Sequence, residues 1–105
     1  MNIVQKNDNL PRHSRYLADT EFVELTGIQP ARLDELLEMD WVRPRRTEQN
    51  VCLFCNSDVY RVRKLERICC DFELPAVGGA IIVDLLDRIA SLEQRVEHLR
   101  QMCGR

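Results

Sequence analysis

The chain has 105 residues, 45% of them hydrophobic and 30% charged, with 15 Lys and Arg against 17 Asp and Glu for a net charge of −2. That length fits one domain, and the apolar fraction is too high for a disordered chain. No run of about 18 apolar residues is present to span a membrane, residues 1–20 carry Asp8 and no apolar signal core, and near-neutrality argues against a protein that coats nucleic acid.

The elements follow in chain order. Residues 1–17 show little periodicity and read as a flexible lead-in, with a short strand expected near Arg15 to Ala18. Thr20 resembles an N-cap, Phe22, Val23 and Leu25 form a short apolar face, and Gly27 stops the helix. Pro30 opens a second helix with Leu33, Leu36, Leu37 and Met39 on one side and Asp34, Glu35 and Glu38 on the other. The two helices and their tight Gly-containing turn make a helix-turn-helix unit. Arg43-Pro44 ends helical structure, and Val42 to Phe54 reads as a two-stranded hairpin, or wing. Asn56-Ser57-Asp58 predicts a third N-cap. A third helix follows, with Val62, Leu65, Ile68 and Cys69 apolar, ending near Phe72 to Leu74 because Pro75 disfavours helix in the residue before it.

The last segment, 75–105, is a long helix. Ile82, Leu85, Ile89, Leu92, Val96 and Leu99 recur at alternating spacings of three and four, a heptad seam suited to a second helix. So long a seam on so small a domain predicts a homodimer. Gly78 and Gly79 are poor helix formers, which implies close packing on that turn. The chain is thus expected to be mainly α-helical, with a winged helix-turn-helix over 18–74 and a dimerisation helix beyond it.

Charge is unevenly spread. Residues 1–18 carry net +2, 19–40 net −6, 41–67 net +4 and 68–105 net −2. The −6 segment should attract cations and repel phosphate. The basic residues Arg43, Arg45, Arg46, Arg61, Arg63, Lys64 and Arg67 are read as a solvated face that pairs with the acidic helices of the same domain.

Five cysteines are present, an odd count that fits a reducing cytoplasm. Cys52, Cys55, Cys69 and Cys70 have poor spacing for a zinc site, since adjacent helical residues point about 100° apart. Cys69 reads as core, and neither a metal nor another cofactor is expected. His13 and His98 have no nucleophile partner, no phosphate-binding glycine loop is present, and catalysis is not expected.

Several segments carry a resemblance. Glu21-Phe22-Val23-Glu24-Leu25-Thr26-Gly27-Ile28, then Leu33-Asp34-Glu35-Leu36 with Val42-Arg43-Pro44, follow the first helices and wing entry of the MerR-type winged helix-turn-helix. Within that superfamily the run from Phe72 to Arg88 is similar to the CbpM-like chaperone modulators. There Glu73-Leu74-Pro75-Ala76-Val77 leads to Ala80 and Leu85-Leu86-Asp87-Arg88-Ile89, then Leu92. The sequence departs from that pattern at Leu74, where a Trp is expected. The resemblance covers roughly residues 18–100. It implies binding to the J-domain of a CbpA/DnaJ-type co-chaperone and restraint of its stimulation of DnaK. The J-domain presents a basic helical surface, so the contact residues expected here are Asp34, Glu35, Glu38, Asp84, Asp87 and Glu93. Reversing Asp84 and Asp87 to Lys is expected to weaken binding without harming the fold. A DNA-binding regulator responding to metal or redox state is the alternative. It is disfavoured because a groove-reading helix needs Arg, Lys, Asn or Gln outward, and this one offers carboxylates.

Overall fold

A computed structural model describes residues 16–104; most of the lead-in read over 1–17, with His13, lies outside the described residues. Strand β1 (Tyr16–Ala18) is followed by α1 (Asp19–Thr26), α2 (Pro30–Glu38), β2 (Arg45–Arg46), β3 (Cys52–Cys55), α3 (Asn56–Phe72) and α4 (Ala76–Met102). The strands form one antiparallel sheet in the order β1-β3-β2, with Leu17 opposite Phe54 and Arg45 opposite Leu53. The wing is therefore present. Its inner strand also pairs with the strand expected near Ala18, a long-range pairing that local patterning does not encode.

Two helix starts differ from expectation. Helix α1 begins at Asp19, with Ala18 as an extended N-cap making no side-chain cap bond, so Thr20 lies inside the first turn. Helix α3 begins at Asn56, with Cys55 in the N-cap position. In both places a strand runs directly into a helix. The strand's last residue already has the extended backbone that an N-cap requires, so no polar capping residue is needed.

The turns set the helix directions. Gly27 adopts φ 70°, the left-handed conformation expected of it. At the end of α2, Asp40 has φ 60°, and the Trp41 and Asp40 amides donate to the carbonyls of Leu36 and Leu37. This double bond pattern reverses the chain and carries Trp41 and Val42 into the core.

That core joins every layer: Leu17, Phe22, Ile28, Leu33, Leu36, Trp41, Val42, Phe54, Val59, Val62, Leu65, Cys69, Ala76, Ala80 and Val83. Phe22 of α1 stacks on Phe54 of β3 with centroids 4.4 Å apart. The start of α4 belongs to the domain through Ala76, Gly79, Ala80 and Val83, all on one face. Ile81 points outward at 56% exposure, so the apolar run 79–83 is buried on one side only.

Gly79 is the tight glycine. A Cβ there would collide with the Sγ of buried Cys69, whereas at Gly78 it would meet only ordinary contact with Leu74. Gly79→Ala is expected to cost about 1–3 kcal/mol through overpacking. In a Cys69→Ala background the added cost should fall by at least half, because the clashing atom is gone. Denaturant titration of the four variants measures this coupling, and strict additivity would contradict the packing.

Candidate functional site

The expected contact residues fall into two structural settings. On α2, Asp34, Glu35 and Glu38 are all exposed. Glu38 lies four and three residues beyond Asp34 and Glu35, which places the three on the helix side opposite buried Leu33 and Leu36. Glu35 lies 4.0 Å from Arg32, a weak surface contact, and Asp34 and Glu38 have no ion-pair partner among the described residues.

Arg32 is the single base of α2, and it is turned away from that face. Its Nε lies 3.1 Å from Glu66 Oε2 on α3, and its Nη1 approaches Cys69 Sγ at 3.9 Å. Glu66 Oε2 is buried and accepts no well-formed hydrogen bond, so the nearby guanidinium charge is what compensates it. The outward face of α2 is consequently a surface of carboxylates.

On α4 the expected residues are largely occupied. Asp84 Oδ1 accepts from Trp41 Nε1 at 3.0 Å and from Arg61 Nη2 at 3.4 Å. Arg61 also lies over the Trp41 ring, 4.0 Å from its centroid, and its Nη1 donates to the Trp41 carbonyl and to Asp58, each at 3.1 Å. This clamp ties the end of α2 to α3 and α4 around a polar cleft lined by Asp40, Trp41, Arg43, Asp58, Arg61 and Asp84. Asp87 makes a simpler contact, accepting from Lys64 Nζ at 2.9 Å, with the two side chains 41% and 50% exposed. Glu93 is fully on the projecting part of α4 and exposed.

Basic residues thus pair with acid within the domain at Arg32, Arg61 and Lys64, but α3 pairs mainly with α4 rather than with α1 or α2. The other bases among the described residues are exposed. Arg45 lies over the Tyr16 ring, Arg46 donates to Asn50, and Arg43 donates to the Asp40 carbonyl. The clamp is not predicted by the sequence pattern. The available signal was a matched spacing: Arg61 and Lys64 on one helix, and Asp84 and Asp87 on the next, each three apart.

The clamp revises the expectation for Asp84. Its carboxylate holds an indole and a guanidinium, so reversing it disturbs packing as well as surface charge. Asp84→Ala is expected to destabilise the domain by about 1–2 kcal/mol, since it strips hydrogen bonds from Trp41 and Arg61. Asp87→Ala should stay within about 0.5 kcal/mol, the usual worth of an exposed pair. Thermal denaturation of both variants checks the contrast, and equal losses would remove the distinction.

The seam residues Leu85, Ile89, Leu92, Val96 and Leu99 are exposed at 45–58%. Ile82 is half-buried against the domain, while Val77 and Ile81 are exposed. The apolar stripe therefore starts nearer the helix base than the heptad count suggested. From Arg88 to Met102 every residue is exposed, a projection of about 22 Å.

Cys69 is in the core, as its pattern suggested, while Cys52 and Cys55 are half-buried and Cys70 and Cys103 exposed. Among the described residues, no three His, Cys, Asp or Glu side chains are grouped to hold a metal ion. No described helix is long and apolar enough to cross a membrane.

Comparison with known proteins agrees with this architecture. Residues 17–101 match the model of the MerR HTH family regulatory proteins. The chain is 31% identical over 86 residues, 82% of its length and 85% of theirs, to the chaperone modulatory protein CbpM of Escherichia coli (strain K12 / DH10B) and of Shigella boydii serotype 18 (strain CDC 3083-94 / BS512). With the helix-turn-helix, the wing and the long terminal helix all in place, the chain belongs to the CbpM-like chaperone modulators of the MerR-type helix-turn-helix family.

Proposed function

We propose that this protein is a cytoplasmic chaperone modulator that binds the J-domain of a CbpA/DnaJ-type co-chaperone and thereby limits its stimulation of DnaK. It is a binding protein with no catalytic step and no cofactor. The observation that carries the reading is the outward face of α2, where a groove-reading helix would be basic. Here it presents Asp34, Glu35 and Glu38, and its one base is withdrawn to Glu66. A carboxylate face suits a basic helix of a protein partner and opposes the counterion release that drives DNA binding. The relatives' name, chaperone modulatory protein, supports the same reading.

The exposed bases of the wing, Arg43, Arg45 and Arg46, favour a second reading, DNA backbone binding. One experiment separates the two. Pull-down of a J-domain fragment and a mobility shift on duplex DNA are run on the same preparation at physiological salt. J-domain capture without DNA retention is expected, and DNA retention alone would reverse the assignment.

The working unit we propose is a homodimer through the α4 seam, because the stripe is exposed with no cover among the described residues. Leu92→Lys with Val96→Lys is expected to shift the protein to monomer in sizing at micromolar concentration, with helicity largely kept. An unchanged elution volume for a dimeric wild type, or a monomeric wild type, would count against it.

A further inference from the structure

Asp84 and Asp87 sit three residues apart on α4, yet their bonds differ in kind. Asp84 accepts from an indole and a guanidinium that themselves belong to a packed clamp. Among the described residues Asp87 is held only by Lys64, a flexible side chain half in solvent, at 2.9 Å. An exposed pair of this kind is worth about 0.2–1 kcal/mol, so an incoming cation can replace Lys64 at little cost. Asp84 is itself 56% exposed, but its carboxylate stays tied to the Trp41 indole, and Arg61 stays tied to the Trp41 carbonyl and Asp58, so neither is released by a simple exchange. Lys64 therefore occupies an acidic position on α4 that a basic partner can take by simple exchange, and its charge opposes that partner's approach.

We propose that Lys64 is an internal competitor at Asp87: binding of a basic helical surface displaces the Lys64 ammonium from the Asp87 carboxylate, and Lys64 thereby limits affinity. This rests on the J-domain reading above and adds a residue that tunes it. No bond is made or broken; one ion pair is exchanged for another, and the released ammonium returns to water. Lys64 and Asp87 are both peripheral to the buried core, so neither substitution should disturb the fold.

The test is a double-mutant cycle on the full chain, using Lys64→Gln, Asp87→Asn and the double variant, titrated with a purified CbpA-type J-domain. Lys64→Gln is expected to bind about two- to fivefold tighter than wild type. Asp87→Asn should bind more weakly, and in the Asp87→Asn background the Lys64→Gln gain should vanish. Wild-type binding with no tightening in Lys64→Gln overturns this inference alone. Tightening that survives Asp87→Asn also overturns it, since Lys64 would then act by general repulsion. Absence of J-domain binding by the wild type overturns the functional reading itself, and this inference with it.

Discussion

Replacing Asp34, Glu35 and Glu38 together by lysine is expected to weaken J-domain binding by about a hundredfold at low salt. Each reversal turns an attraction of about 0.5 kcal/mol into a repulsion of similar size, so three sum to about 3 kcal/mol, or about two decades in affinity. Most of the loss should appear in the association rate, because exposed charges act mainly by steering. It should shrink as salt shortens the screening length to about 8 Å and below. The fold should survive, because all three side chains are exposed and, among the described residues, only Glu35 has an oppositely charged neighbour, at 4.0 Å. Stopped-flow association measured across a salt series, with circular dichroism as the fold control, gives the answer. Unchanged rate and unchanged salt slope would mean that the α2 face is not the contact.

Phe22→Ala is expected to be the most damaging single core change. Phe22 is fully buried, and its ring stacks within 13° of parallel on Phe54. That contact holds α1 against the central strand β3, so the cavity has walls in two elements and cannot collapse freely. Buried Phe→Ala changes cost about 3–5 kcal/mol, a large share of the about 5–15 kcal/mol that a domain has. Tyr60→Ala is the contrasting case: it is 63% exposed and should change stability by less than about 0.5 kcal/mol. Urea denaturation of the pair measures both. A Phe22→Ala loss below about 1 kcal/mol would mean that the stack contributes little.

Both results depend on features of unequal visibility in the sequence. The acidic face of α2 was legible because apolar and acidic residues separate at helical spacing, and Pro30 and Gly27 mark where α2 starts and α1 ends. The wing was legible from the break at Arg43-Pro44. The helix starts at Asp19 and Asn56 were missed by one or more residues, because a strand that feeds straight into a helix supplies its own extended N-cap. The seam's origin shifted because a heptad count cannot tell which of Ile81 and Ile82 faces the domain. The packing of Gly79 on Cys69 turns Ile82 partly inward and Ile81 out.

The charge arithmetic is where tertiary structure mattered most. A net −6 over residues 19–40 followed by +4 over 41–67 establishes from residue order alone that the helix-turn-helix is acidic where a DNA reader is basic. Composition and periodicity also determined the helical class, the wing and the long apolar stripe, since each is a local property of residue order. Which charges are free is not local. Arg32 is withdrawn to Glu66, Arg61 is spent on Trp41, Asp58 and Asp84, and Lys64 rests on Asp87. Those pairings arise from the crossing of α3 with its neighbours, over separations of 23 residues in two of the cases. Matched spacing on α3 and α4 does not by itself show that the two helices cross in register, so only the packed structure divides the acids into those that hold the fold and those left exposed.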